Sequence, residues 1–314
     1  MRASALIRGL LLAGLATAQL SVAPYVVRAA APGPDLMSDG IAPSLPSNQT
    51  IPGIEPGWLG LSGKLRAIFV LPPEGYDQSG AVAAEPALPE VSHRVYVVTP
   101  LAATQDSLCA IPLIPFAAKQ GTVLQGYRIG VWPQERRRVR SSYVSPEGFI
   151  EVTPENQLTR VSENFRLIDF LTHDQDNVWP KYLVLRPQLV DKLELISNEL
   201  ARRGKPSTIK ILSGFRSPQY NAQGVGRKGG RARDSRHMYG DAADVYVDGN
   251  GDDRMDDLND DGRVNYRDSA YLLAIAEYVQ DQYPEVIGGG ASYRATGMHG
   301  PFVHVDVRGY KARW

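Results

Sequence analysis

Three residues in the second half of the chain have the types and spacing to hold one metal ion. His237 and Asp244 stand seven residues apart in HMYGDAAD, and His304 follows in FVHVD. Zinc accepts neutral imidazole and carboxylate together, and a catalytic zinc keeps three protein ligands with one position open for water. Gly240, Ala242 and Ala243 are small, so the chain between the first two ligands can turn tightly beneath an ion. In FVHVDVR, residues two apart share a strand face: His304 and Asp306 point one way, Val303 and Val305 the other, into a core. Each histidine alone is as readily an ordinary hydrogen-bonded residue, since buried polar groups are generally satisfied. Together they are harder to dismiss, because SGFRSPQYN (213–221) delivers Arg216 on a Gly/Ser/Pro loop after the apolar strand TIKIL (208–212). A planar guanidinium suits a carboxylate or a developing oxyanion.

A second group of oxygen donors lies in DGNGDDRMDDLNDDGRVNYRD (248–268), too acidic to pack on a core without a cation. Asp257, Asn259, Asp261, Arg263, Asn265 and Asp268 fit the ligand positions of an EF-hand-type calcium loop, with Gly262 at the sharp turn and Arg263 ligating through its carbonyl. The short Asp268 in place of the usual Glu resembles dockerin loops. Asp248, Asn250 and Asp252 begin a weaker upstream copy that shares Asn259 with the first, so both cannot be complete at once. A bound calcium would be structural; without one, the segment is a solvated acidic insertion.

The elements that must position these residues read as α+β, a small, mostly antiparallel sheet with flanking helices. A helix over 187–203 starts at Pro187, carries the stripe Leu189, Leu193, Ile196 and Leu200, and stops before Gly204. A second helix is expected over SAYLLAIAEYVQDQY (269–283). Upstream, LRAIFVL, HRVYVVTPL, GYRIGVW and GFIEV alternate with turn residues and predict a small all-β domain over 58–155, with nothing catalytic in it. The basic run 135–140 and the Gly/Arg-rich loop 224–234 read as solvated segments, the loop close enough to His237 to line a cleft.

SGFRSPQYN, SRHMYGDAADV and GPFVHVD, in that order, resemble the zinc D-Ala-D-Ala carboxypeptidase and murein endopeptidase family, whose core is shared with lysostaphin and the hedgehog signalling domain. The nearest likeness is to its secreted bacterial murein endopeptidases, and it covers roughly residues 160–314 as the catalytic domain. The resemblance implies one catalytic zinc on His237, Asp244 and His304, with Arg216 gripping the substrate; Ser213 and Tyr239, in the same motifs, are placed with it as substrate contacts. Many members carry Glu or Asp three residues before the last histidine as general base, and here that position is Pro301. Asp306 and His299 are the expected proton carriers, with Asp306 alternatively orienting His304 through its other ring N–H. Peptidoglycan peptides are the implied substrate, as D,D- or L,D-carboxypeptidase or endopeptidase chemistry.

Composition sets the remaining bounds. The chain has 314 residues, 34 basic and 34 acidic, which argues against nucleic acid as a partner. MRASALIRGLLLAGLATAQLSVAPYVVRAA (1–30) has early arginines, an apolar stretch and small residues at Ala16 and Ala18, and reads as a signal peptide followed by a Pro/Gly-rich linker over 31–57. The protein is therefore expected to be exported, periplasmic or extracellular, touching membrane only through that segment if it is uncleaved. The single cysteine, Cys109, cannot form an internal disulfide and reads as a buried apolar residue. Oligomeric state is not legible. Two other classes fit the same residues: an inactive metal-binding recognition module of cell wall or protein, favoured by Pro301, and a calcium-dependent surface or scaffold protein.

Overall fold

The computed structural model describes residues 108–314 apart from residue 228, with side chains from Ile111 onward, and the backbone of three earlier strands. The linker, most of the expected signal segment, much of the first half of the expected β domain, and the Cys109 side chain lie outside the described residues. The molecule is mixed α and β, with few helices and mainly antiparallel sheets.

The sheet that carries the metal-binding motifs has five strands. These are β9 (Ile209–Ser213), β10 (Ala242–Val247), β11 (Gly289–Tyr293), β12 (Phe302–Asp306) and β13 (Ala312–Arg313), in the order β13-β11-β12-β10-β9. All pairs are antiparallel except β11 with β13. Strands β10 and β12 form because β-branched residues alternate with others, and the alternation sorts them: Val245, Val247, Val303 and Val305 are buried in the core. Opposite residues of an antiparallel pair share a face, so the register Ala291↔His304, Tyr293↔Phe302 and Asp244↔His304 fixes one chemical face across three strands. A bulge between Asp244 and Val245 brings Ser213 opposite Asp244 at the end of β9.

Helix α1 (Pro187–Arg202) has its expected stripe of Leu189, Leu193, Ile196 and Leu200 fully buried, each contributing roughly 1.5–3 kcal/mol. Proline fits its first turn, where an N–H would have no partner. The short α2 (Pro218–Gln223) begins at Ser217, whose hydroxyl accepts from the Tyr220 N–H. Helix α3 (Tyr266–Gln282) starts three residues earlier than the apolar pattern suggests, because Asn265 and Asp268 close a capping box around its first turn. It packs on β11 and β12, with α1 behind it.

A second sheet comprises β1 (Tyr25–Ala29), β2 (Ile68–Val70), β3 (Tyr96–Pro100), β4 (Leu108–Pro115), β7 (Gly148–Val152) and β8 (Lys181–Leu183); β5 (Val123–Leu124) and β6 (Tyr127–Arg128) form a separate hairpin. Strand β1 falls within the stretch read as a signal segment. Strand β8, beyond the expected boundary near 155, pairs with β7. Residues of both sheets share one contiguous apolar core.

The segment after β6 reaches the metal-binding motif. The Trp132 indole donates to the Met238 carbonyl at 2.7 Å, Tyr143 donates to the Asp234 carbonyl at 2.9 Å, and Arg236 donates to the Ser142 carbonyl at 2.8 Å. The basic run is tied to the same loop, through an Arg137–Asp234 ion pair.

Candidate metal centre

His237 sits on a single 3-10 turn, Arg236–Tyr239, that ends at Gly240 in the left-handed conformation, φ 65°. Glycine is required there twice over: other residues seldom adopt that φ, and a Cβ would stand 2.3 Å from the Val184 carbonyl oxygen. The turn is further held by the fully buried Arg236–Asp241 pair. From Gly240 the chain enters β10 and presents Asp244 opposite His304.

The three side chains converge. His237 Nε2 lies 3.2 Å from His304 Nδ1 and 3.3 Å from Asp244 Oδ1, and His304 Nδ1 lies 2.9 Å from the same carboxylate oxygen. Among the described residues this is the only group of three or more His, Cys, Asp or Glu side chains close enough to hold one ion.

The outward faces of the rings decide which atoms are free. His237 Nδ1 is 2.7 Å from the Gly214 carbonyl, and His304 Nε2 is 3.3 Å from Asp306 Oδ2. Both outer partners only accept, so with an ion at the centre those nitrogens carry the ring protons and leave the inward lone pairs to it; without one, His304 Nδ1 also faces an acceptor, Asp244 Oδ1, at 2.9 Å and shares a proton with it. The three inward atoms stand at contact distance, which is repulsive unless a cation or a shared proton lies between them. Ligands about 2.0–2.1 Å from a tetrahedral zinc stand about 3.4 Å apart, close to the separations seen here. The donor set of two imidazoles and one carboxylate, each backed by an outer partner, fits zinc.

Electrostatics set the two histidines apart. Complete burial pulls the His237 imidazole down to about 4, keeping it neutral and able to ligate. Burial also disfavours charge on His304, but its hydrogen bonds to Asp244 and Asp306 outweigh that and raise it above the ordinary value. Burial alone would raise Asp244, yet the two histidines hold it well below the usual carboxylate range.

Arg216 stands beside the centre. Its main-chain N–H donates to the His237 carbonyl at 3.2 Å, and its Nη2 donates to Asp244 Oδ2 at 3.2 Å. Its buried Nε has no hydrogen-bond partner among the described residues, so the fork retains unused donor capacity. Ser213 lies on β9 opposite Asp244.

Two expectations change. Asp306 is not placed to exchange protons with a water at the centre, because it lies behind His304 and is fully buried. Its carboxylate accepts from Gly289 N at 2.7 Å and from Arg308 Nε at 2.9 Å, and Arg308 Nη2 closes the pair. It is the group that orients His304. Tyr239 is buried and its hydroxyl donates to Gln134 Oε1 at 2.7 Å, so it packs the wall behind the site and offers nothing to a substrate. In the acidic segment, Asp268 accepts from the N–H groups of Leu258 and Asn259 at the start of the loop and from that of Asn265, where it caps α3.

The rest of that segment forms two similar half-turns nine residues apart. Asp257 accepts from Asp261 and Gly262, and Asp248 from Gly251, Asp252 and Asp253; Asn250 and Asn259 each accept from the residue two further on. Asp252 and Asp261 likewise accept from Arg254 and Arg263, and Asn265 from Arg267. The first halves of both copies therefore coexist, although their complete loops would compete for Asn259. His299, partly exposed, contacts its neighbour's carbonyl and the Phe302 ring edge. His173, exposed, bonds only the Leu212 carbonyl.

Sequence reasoning missed the Gly214 carbonyl, Arg308, and a buried lysine. Lys192 donates to the Asp306 main-chain carbonyl at 2.8 Å, and burial pulls its ammonium down to about 8. Arg308 was the legible one, two residues past Asp306 and just beyond the end of β12.

Residues 133–260 match the family model of peptidoglycan L,D-endopeptidase MepK. The match supports the resemblance carried by the motifs and, with it, a metal-dependent peptidoglycan peptidase. It spans under half of the chain, taking in Arg216, His237 and Asp244, while His304 lies beyond it. It begins upstream of residue 160, in the segment whose Trp132, Ser142 and Tyr143 brace the His237 turn. No curated protein and no solved structure matches the chain.

Proposed function

We propose that this protein is an exported zinc endopeptidase that cuts L,D peptide bonds in peptidoglycan stem peptides. The observation that carries the reading is the convergence of His237 Nε2, Asp244 Oδ1 and His304 Nδ1, with the outer nitrogens of both rings already bound. The family match supports the substrate class and the L,D bond, and the apolar, arginine-flanked start of the chain supports export to where that substrate lies.

Zinc held by these three residues supplies Lewis acidity to water and to the scissile carbonyl. The chain supplies orientation: Gly214 and Asp306 lock the two imidazoles, and Arg308 and Lys192 lock Asp306. Arg216 holds a substrate carboxylate or the oxyanion with the donors that Asp244 leaves free. His299, on the loop entering β12, is the proton carrier that remains once Asp306 is committed to His304.

Calcium on the acidic segment is proposed as a structural ion, supported by the oxygen-donor spacing over Asp257–Asn265 and by the two half-turns. Ligation by Asp268 requires it to release the α3 cap, so calcium should shift the melting temperature rather than the rate.

The test is mass spectrometry of murein digested by the purified protein, with His237→Ala as control. New fragments ending at an L,D bond with wild type alone support the proposal; identical fragments from both proteins refute it. A protein that binds zinc stoichiometrically and releases nothing is the recognition module that Pro301 allows.

A further inference from the structure

The chemical face of the metal-site sheet carries an aromatic hydroxyl that no motif marks. Tyr293 ends β11, paired with Phe302 and one strand position from the His304 pair, so its ring shares a face with Asp244 and His304. Its ring stacks on Phe302, centroids 4.6 Å apart and planes 7° from parallel, which fixes where the hydroxyl points. Trp314 completes the arrangement. Its ring packs 5.2 Å from that of His304, and its indole N–H donates to the Tyr293 hydroxyl at 2.8 Å. Strand β13, pairing with β11, brings Trp314 to this place, and the Arg308 guanidinium covers its ring.

An indole nitrogen only donates, so the Tyr293 oxygen is the acceptor in that contact and its own proton is left to give. Among the described residues no acceptor takes it. Burial raises the phenol above its ordinary value, so it is protonated at neutral pH. Tyr293 and Trp314 are both exposed, and therefore reachable from solvent.

We infer that Tyr293 donates a hydrogen bond to the oxyanion formed at the scissile carbonyl, and that Trp314 is the positioning residue that aims it. The inference rests on the hydrolase reading above. It supplies a second donor, opposite Arg216, to a site whose usual acidic residue is Pro301. A donor aimed where charge develops acts on the transition state rather than on the bound substrate.

The test uses Tyr293→Phe, which keeps the ring stacked on Phe302 and removes only the hydroxyl, and Trp314→Phe, which removes the indole N–H. For Tyr293→Phe we expect wild-type zinc content, KM within about twofold, and kcat lower by roughly 10- to 100-fold. A phosphinate analogue of the stem peptide, a tetrahedral anion, should bind this variant more weakly by a similar factor in calorimetric titration. Trp314→Phe should show a smaller fall in the same two quantities. Wild-type kcat and phosphinate affinity in Tyr293→Phe overturn the inference, and wild-type values in Trp314→Phe overturn the positioning role. If the wild-type protein cleaves no murein, the hydrolase reading fails instead. The phosphinate titration then still decides for Tyr293: equal affinity in both proteins overturns its role, and weakened binding in the variant sustains it.

Discussion

The metal centre and the acidic segment both gather side chains able to ligate a cation, yet they are held in opposite ways. At the centre, each ligand is aimed by something outside the cluster: Gly214 and Asp306 hold the rings, and a glycine-ended turn and two paired strands hold the backbone. The lone pairs left over face one another. In 248–268 the carboxylates are instead satisfied by N–H groups of their own loop, Asp268 included. Converging, mutually repelling donors call for a cation to complete the fold; donors already occupied by local backbone do not. The two regions should therefore answer differently to substitution and to chelators.

The largest expected effect is from Asp244→Ala, which removes a ligand and leaves two inward lone pairs and the Arg216 charge unpaired. Murein cleavage should fall to the uncatalysed background, measured by release of soluble fragments. Asp306→Asn should come next. The amide cannot replace the charged acceptor of both His304 and Arg308, and loss of such an outer partner costs about 10–100-fold in metal affinity. Competition with a fluorescent zinc chelator measures it, and an unchanged affinity would show that Asp306 does not orient His304.

Acidity provides a smaller, graded test. His304 is raised above its ordinary value, so below that raised pKa zinc must displace a proton from it, and affinity should fall about tenfold per unit of decreasing pH. His237, held near 4, adds no such dependence until far lower pH. The slope of zinc affinity against pH should therefore correspond to one proton above pH 5, and a two-proton slope would contradict the neutral state of His237. The smallest effect is from Asp261→Asn. Its half-turn keeps an acceptor, so stability without calcium should change by less than about 0.5 kcal/mol, read from denaturant melts. A stabilising shift from calcium in the wild type that this variant loses would show that the loop binds the ion.

Much of the centre was legible in sequence because periodicity makes it so. The alternation in FVHVD fixes His304 and Asp306 on one side and two valines on the other, and the strand is found as spaced. The stripe of α1 was equally plain. Roles were less legible than positions. Asp306 reads as a base or an orienter from its spacing alone, and only the direction of the His304 ring separates the two. Tyr239 sits in the motif beside His237, but its burial under Tyr143 and Gln134 depends on residues a hundred positions upstream. The same distance hid the bracing of the His237 turn by Trp132. Tyr293 had no local signal, since its significance arises from strand register and from Trp314.

The central claim is that His237, Asp244 and His304 bind one ion together. X-ray absorption on protein loaded with one equivalent of zinc measures this most directly. The account predicts one zinc per chain, coordinated by two imidazole nitrogens and a carboxylate oxygen at about 2.0–2.2 Å, with one imidazole lost in His237→Ala. An unchanged first coordination sphere in that variant, or no stoichiometric zinc in the wild type, would contradict it.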